Sequence, residues 1–373
     1  MSESKARLIA GNFSTTGKPV DITGATGGAG GGATVSFVDS DGLLPSADLA
    51  GDSGDIVFSR SSNKMFVGEG SYWRQYSTST INPSVEMLIV AGGGGGQSGG
   101  GGAGGLLYYG SETPKTPNGS AVELSLGNTY TVTVGTGGAR STNGTSSSIV
   151  GSGVNYVADG GGAGGKPSAA TATANGYTQT AIGSGWQGGT GGSGGGGGGN
   201  SAVGSNTLTG GPGTSGQGNA GGYGYEAGNS PAGGGGGAGG AGGNATNNSS
   251  NGANSATGGA GLAYSITGES VIYAAGGGGG SHNAGSGAGG SNGVGGDGAI
   301  NSGAPTAPDA NTGSGGGGGG YANANAATVS NGADGVVIVR STGQLTTTGS
   351  NVTETQSGTH FVYRFTGDGT FRV

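Results

Sequence analysis

The sequence predicts a mostly β protein built around a bundle of polyglycine-II helices, with essentially no α-helix. Three observations carry that prediction. Glycine supplies 103 of 373 residues, about four times its usual ~7% share, and gathers in uninterrupted runs at 92–96, 99–102, 194–199, 233–237, 276–280 and 315–320. Short β-branched and aromatic segments lead directly into several of these runs. Charge is nearly absent between residues 161 and 320, where Lys166, Glu226, Glu269, Asp297 and Asp309 stand alone, whereas disordered tracts usually stay soluble through charge.

A run of five or six glycines has no side chain to bury, so the backbone itself must be the structure. A threefold helix of the polyproline-II type makes no internal hydrogen bonds. Its N–H and C=O groups point outward and need partners. In a bundle those partners are neighbouring helices, and close packing on several sides leaves no room for a Cβ. Interior positions must then be glycine, while outer helices can carry a side chain at every third position. Gly-Gly-X spacing occurs at Ala288, Ser291, Val294 and Asp297, at Ala238, Ala241 and Asn244, at Thr190 with Ser193, and at Ala163 with Lys166. It predicts straight rods with side chains along one edge. At a rise of ~3.1 Å, residues 188–199 would form one rod of roughly 37 Å. Collagen does not fit, because there are only 10 Pro and the glycine runs break a Gly-X-Y frame.

Ordering a residue costs about 1–2 kcal/mol, and a hydrogen bond returns a net of about 0.5–1.5 kcal/mol. Glycine adds little apolar burial, so the bundle must be held at its ends. Strands expected at 85–90, 130–134, 154–157, 270–273 and 336–339 form a small β layer that does this. Residues 85–345 are thus read as a glycine-helix sandwich on a β layer. Residues 1–84 have ordinary composition and form a separate attachment module. It holds a short helix at 4–10 and strands at 33–38, 55–58, 64–67 and 72–76, with a hairpin across 54–67. Trp73 is expected to fill its small β core rather than a surface site. Residues 346–373 return to ordinary composition. Phe361, Tyr363 and Phe365 alternate, residues 367–369 signal a turn, and Phe371 and Val373 resume beyond it, which predicts a C-terminal β-hairpin.

Several functions are disfavoured. The net charge is −7 with no basic patch, which argues against nucleic-acid binding. No cysteine is present, so neither disulfides nor thiolate-bound metals contribute. The first ten residues lack an apolar signal core, and no apolar run approaches the ~20 residues of a membrane span. His282 and His360 are the only histidines, too few for a well-supplied zinc site or catalytic triad. Strings of the form G-x-G-x-x-G follow from composition, and none has the strand, helix and acidic partner of a dinucleotide site. The expectation is a non-enzyme without cofactor or metal. A glycan-cleaving carboxylate pair stays open, but no pattern points to one. Manufacture in a cytoplasm followed by work outside it, without conventional secretion, fits a virion component.

Counting runs locates a binding surface. If the strands form a base, a run leaving a strand travels to the tip and the next one returns. Loops 166–187, 223–231 and 281–283 then fall at the tip, residues 200–209 at the base, and Tyr321 at the far end of the last run. The tip gathers Tyr177, Trp186, Tyr223, Tyr225, Glu226, His282, Asn283 and Tyr321. Aromatic faces with polar edges suit sugar rings or receptor side chains. They equally suit packing against one another to cap the bundle.

The glycine region resembles the glycine-rich domain of bacteriophage tail-fibre and adhesin proteins over about two thirds of the chain. The matching motifs are Val85-Glu86-Met87-Leu88-Ile89-Val90-Ala91 before a glycine run, residues 130–135, Tyr273-Ala274-Ala275 before 276–280, and residues 332–340. Residues 54–76 are similar to a module near the start of fibre proteins from T-even-like phages of marine cyanobacteria. Residues 361–373 are similar to a segment that more often precedes the glycine domain. The resemblance implies a polyglycine-II sandwich at a fibre tip that reads a bacterial surface glycan or outer-membrane protein. It also implies attachment to other fibre or baseplate proteins through residues 1–84, and either a homotrimer or a single-chain tip. A baseplate, collar or head-decoration fibre without receptor binding is the alternative.

Overall fold

The computed structural model describes residues 83–112, 118–166, 187–199, 207–225, 230–246, 254–282, 285–320 and 330–373, together with the backbone of four N-terminal strands. The chain divides into two compact units, Met1–Ile81 and Asn82–Val373.

In the first unit, β1 (Val35–Val38), β2 (Ile56–Ser59), β3 (Lys64–Gly68) and β4 (Trp73–Tyr76) form one sheet in sequence order. β1 runs parallel to β2, and the expected hairpin pairs Ile56 with Val67 and Ser59 with Lys64. The helix expected at 4–10 and the Trp73 side chain lie outside the described residues.

The second unit rests on two sheets. Its central strands are β5 (Ser84–Val90) and a return strand at Val336–Ser341, paired antiparallel from Val90–Val336 to Val85–Ser341. Neither shows clean alternation, because both faces are covered. Val85, Met87, Ile89, Val337 and Val339 enter one core; Leu88, Val90, Val336 and Ile338 enter another. Glu86 pairs with Arg340 across the same two strands.

β6 (Leu106–Tyr109), β7 (Asn118–Gly119) and β8 (Val122–Glu123) extend one side of this sheet. β9 (Thr129–Thr133), β10 (Ser147–Gly151) and β11 (Val154–Ala158) form most of the second sheet, which closes the first core with Tyr130, Val132 and Ile149. Two short pairs lie farther along. β12 (Thr207–Leu208) pairs with β13 (Gly224–Tyr225), and β14 (Leu262–Tyr264) pairs with β15 (Val271–Tyr273). Tyr264 and Tyr273 from the latter enter the second core.

After β16 (Val336–Ser341) the chain adds β17 (Thr346–Thr348), β18 (Val352–Ser357), β19 (His360–Phe365) and β20 (Gly369–Arg372). The C-terminal hairpin is β18–β19, turning at Gly358 (φ 60) and Thr359. Residues 367–369 instead pass the chain to the other sheet, where β20 lies between β9 and β17. The alternating side chains were therefore read correctly but the hairpin turn was placed one strand too late. A glycine turn signal is local and does not report which sheet receives the next strand.

Between these strands the chain runs in threefold rods, and the hydrogen bonds display the period directly. Gly92 and Gly95 donate to Thr145 and Thr142, Gly93 and Gly96 to Ala333 and Ser330, and Gly94 to Gly102, at 2.8–3.0 Å. The carbonyls of the same rod follow the same rule. Gly92 and Gly95 accept from Gly161 and Gly164, Gly93 and Gly96 from Gly138 and Ser141, and Gly94 from Gly316. Residues three apart thus face one neighbour, and this rod is surrounded on all sides.

The next rod repeats the pattern. Gly99, Gly102 and Gly105 donate to Gly165, Gly162 and Asp159, an antiparallel neighbour, while Gly100 and Ala103 donate to Gly233 and Gly236, a parallel one. A Cβ on Gly94 would lie 2.1 Å from the Gly162 carbonyl oxygen, and one on Gly277 2.1 Å from that of Gly316. Glycine is required here by close backbone approach.

Two expectations about the rods are corrected. Residues 188–199 do not form one rod. Gly189 and Gly192 donate to Ala163 and Gly160 on the way inward, then Ser193 and Gly196 donate to Ala103 and Gly100 on the way out. The chain has reversed. Likewise Gly234 and Gly237 donate to Gly243 and Gly240 across a bend at 238–240, and Gly290–Gly293 forms a tight turn with Ser291 at φ 53 and Asn292 at φ 57. In these stretches Gly-Gly-X spans a reversal, whereas Ala163 and Lys166 do lie along a rod. The physical reason is rod length. Strand-fed rods are about six residues, or ~19 Å, and a longer rod would leave amides without partners.

Amide exchange should therefore be slow throughout 92–105, 231–238 and 274–281 and fast at Gly153, Gly216 and Gly293. Hydrogen-exchange mass spectrometry or NMR checks this, and uniformly fast exchange would remove the bundle.

Candidate functional site

The rod registers define two ends. The two large sheets, the β14–β15 pair and the turns at 213–217, 238–240 and 290–294 lie at the proximal end, and the β12–β13 pair lies at the other. At the distal end the chain enters and leaves its remaining connections. The flanking residues there are Gln97 and Gly99, Arg140 and Thr142, Lys166 and Gln187, Gly199 and Thr207, Tyr225 and Ser230, Thr246 and Asn254, His282 and Gly285, and Gly320 and Ser330.

Of the residues expected at the tip, Tyr223, Tyr225 and His282 are described, and all three lie at the distal end. Tyr177, Trp186, Glu226, Asn283 and Tyr321 lie outside the described residues. Residues 200–209 were expected at the base. Thr207 and Leu208 instead pair with Tyr225 and Gly224 at the distal end, because the reversal at 190–193 sends the preceding rod outward.

Tyr223 and Tyr225 meet edge to face, with ring centroids 5.3 Å apart and planes at 87°. The Tyr223 N–H donates to Asn244 Oδ1 at 3.1 Å and the Tyr225 N–H to the Pro231 carbonyl at 3.0 Å. Hydrogen bonding to Tyr223, helped by partial desolvation, raises the Tyr225 hydroxyl above the ordinary phenol range. Both rings are half-buried, leaving part of each to solvent. The next rod begins at Ser230, and its Ala232 N–H reaches the Gly280 carbonyl, two residues before His282. The tyrosine pair and His282 thus belong to rods on either side of the one that begins at Ser230.

Sequence reasoning missed a polar knot at this end. Gln97, only 4% exposed, accepts from Arg140 Nε at 2.6 Å and from Ser141 Oγ at 2.9 Å through its Oε1. Ser98 Oγ accepts the Gly199 N–H at 3.1 Å. The signal was available: Gln97-Ser98 interrupts two glycine runs where a reversal requires it.

A model of the glycine-rich domain family matches residues 69–342. The chain belongs to this family. No curated protein and no solved structure matches it. The family match ends just after β16, so β17–β20 extend the glycine-rich domain beyond its matched region.

Two concave surfaces of this glycine-rich domain lie among described residues away from the tyrosine pair. One shallow groove of about 460 Å³ is lined by Asn143, Asp159, Thr190 and Thr214, and another of about 800 Å³ by Pro305, Pro308, Asn331 and Asp334. Both lie on the flank of the bundle. Their carboxylates are engaged: Asp159 accepts from Thr214 Oγ1 at 3.0 Å and Asp334 from the Gly137 N–H at 2.7 Å. Among the described residues no cluster of metal-ligating side chains occurs and no helix is long and apolar enough to cross a membrane. The distal end presents a pair of half-buried tyrosine rings beside His282, so it is the better candidate for recognition than the grooves.

Proposed function

We propose that this protein is a bacteriophage virion component, a tail-fibre or fibre-tip adhesin, whose distal end binds a bacterial surface glycan or outer-membrane protein. The observation that carries the reading is the division of labour between the two ends. Apolar strands hold one end, rods cross the middle, and Tyr223, Tyr225 and His282 stand at the other. A rigid rod scaffold presents recognition groups with little entropy left to lose on binding. In this reading residues 1–84 attach to other fibre or baseplate proteins, the assembly is a homotrimer or a single-chain tip, and the site binds without catalysing.

Mutual packing of Tyr223 and Tyr225 favours a second reading, in which the pair caps the bundle and the protein is a structural baseplate, collar or head-decoration fibre. Host-cell binding by purified protein separates the two. On the adhesin reading Tyr225→Ala lowers cell binding at least about tenfold, the loss of roughly 1.4 kcal/mol expected of an aromatic contact, while the melting temperature hardly moves. Unchanged binding in both Tyr223→Ala and Tyr225→Ala, or no binding by the unmodified protein, would leave the structural reading.

A further inference from the structure

We propose that Asn292-Gly293 is a site of spontaneous covalent modification, at which the protein converts its own asparagine to aspartyl and isoaspartyl forms as it ages. The dipeptide Asn-Gly also occurs at 118–119, 143–144, 175–176, 251–252 and 331–332. Composition therefore does not single out one copy, but among Asn143, Asn292 and Asn331, the copies whose side chains are described, the surroundings do.

The reaction needs a main-chain nitrogen after the asparagine that is not tied to a neighbouring rod, and room for a five-membered ring. Asn143 fails on both counts. Its Nδ2 donates to the Thr190 carbonyl at 2.9 Å, its Oδ1 accepts the Ala163 N–H at 2.8 Å, and the Gly144 N–H is held by the Gly161 carbonyl at 2.9 Å. A Cβ on Gly144 would meet the Gly92 oxygen at 2.1 Å, so the backbone has no space to turn. Asn331 is exposed, but the Gly332 N–H donates to Gly138 at 2.9 Å and Gly332 is packed against the Gly93 oxygen.

Asn292 differs in each respect. It is exposed, among the described residues its carboxamide makes no hydrogen bond, and the Gly293 N–H, inside the short turn Gly290–Gly293, donates to no neighbouring rod. Nothing lies within 4 Å of the position a Cβ would take on Gly293. The pair sits in the left-handed turn between two rods, at φ 57 and φ 96. The rotation about the Asn292 Cα–C bond that closure requires breaks no lattice bond there.

The chemistry balances without a redox partner. Hydroxide removes the Gly293 amide proton, and the nitrogen attacks Asn292 Cγ. The new N–Cγ bond forms as the carboxamide nitrogen leaves as ammonia, giving a succinimide. Water opens the ring at either carbonyl, yielding an aspartate or an isoaspartate with one extra main-chain atom in the turn. Each conversion adds one negative charge at the proximal end of the bundle.

The test is to age the folded full-length protein at mildly alkaline pH. Chymotryptic peptides and their fragment ions then quantify each site, and methyl transfer by a protein isoaspartyl methyltransferase reports the isoaspartyl fraction. Asn292 should convert at least about tenfold faster than Asn143 and Asn331, because those two must first break a lattice hydrogen bond by local opening. In denaturant the three should converge. Equal rates at the three sites in the folded protein would overturn the proposal. So would an unmodified Asn292 in folded protein under conditions where the denatured chain is converted.

Discussion

Replacing Gly94 with alanine should destabilise the bundle by at least about 3 kcal/mol, and more than a typical core substitution does. The added methyl would meet the Gly162 carbonyl oxygen at 2.1 Å and its carbon at 2.5 Å. Both are main-chain atoms of a neighbouring rod, so no rotamer change relieves the contact. Moving the two rods apart would stretch the bonds from Gly161 to Gly92 and from Gly164 to Gly95 together, and would disturb those that tie Gly94 to Gly102 and Gly316. The cost is therefore shared by several rods, and loss is expected to be cooperative.

Gly240→Ala is the control. Its nearest non-local heavy atom would be 3.7 Å away, and reduced freedom in the unfolded chain favours the variant by about 0.4–1 kcal/mol. Calorimetric melting of the two variants checks the argument. Equal melting temperatures for Gly94→Ala and the unmodified protein would show that the interior backbone is not close-packed.

That contrast also explains what could be read from the sequence. The junctions were legible because two periods meet there. Val85-Glu86-Met87-Leu88-Ile89-Val90 has strand chemistry and the next residues have no side chains at all, so a strand must hand over to backbone-bonded structure. The reversals were not legible. Thr190, Ala238 and Ser291 keep the spacing expected of a rod edge, yet mark turns, because glycine on both sides permits either conformation at little local cost. Only the lengths of the neighbouring rods decide the matter, and those are set by tertiary contacts.

The candidate site shows the consequence. Tyr223 was placed at the distal end by counting runs, but the count missed two reversals, at 190–193 and at 213–217. The two omissions cancel for Tyr223 and Tyr225 and do not cancel for Thr207 and Leu208. The Gln97–Arg140 contact was invisible for a related reason. Its partners are distant in sequence and become neighbours through tertiary bonds, Gly138 to Gly93, Ser141 to Gly96, Gly92 to Thr145 and Gly95 to Thr142.

Raising the pH above 10 should unfold the protein through its buried tyrosines. Tyr273 is 2% exposed, and burial pushes its hydroxyl up to about 12, with Arg364 opposing and Glu112 reinforcing the shift. Tyr264 is fully buried and is pushed higher still, by burial first and then by Tyr108 and Glu112; its ring centroid lies 4.5 Å from that of Tyr108. Burial also raises Tyr108.

The sign follows from linkage. A phenol whose folded value exceeds its unfolded value of about 10 contributes its full stabilisation below pH 10, where both states are protonated. Above pH 10 the unfolded chain releases its proton first, so stability falls with every further rise until the pH passes the folded value. For Tyr273 alone, two units correspond to a loss on the order of 3 kcal/mol between pH 10 and 12, and Tyr264 continues the loss above that window. These rings fill the core beneath Leu88, Val90 and Ile338, the strands from which the rods leave, so their ionisation should release the rods as well.

Tyrosinate absorbance followed together with circular dichroism provides the check. Tyr264 and Tyr273 should form a delayed fraction that ionises only as the ellipticity collapses. Tyr273→Phe keeps the ring and removes the titrating group, so its stability should decline less steeply between pH 10 and 12. If every tyrosine ionised near pH 10 while the ellipticity held, the second core would be open to water, and the clamp on the glycine rods would have to lie in the first core alone.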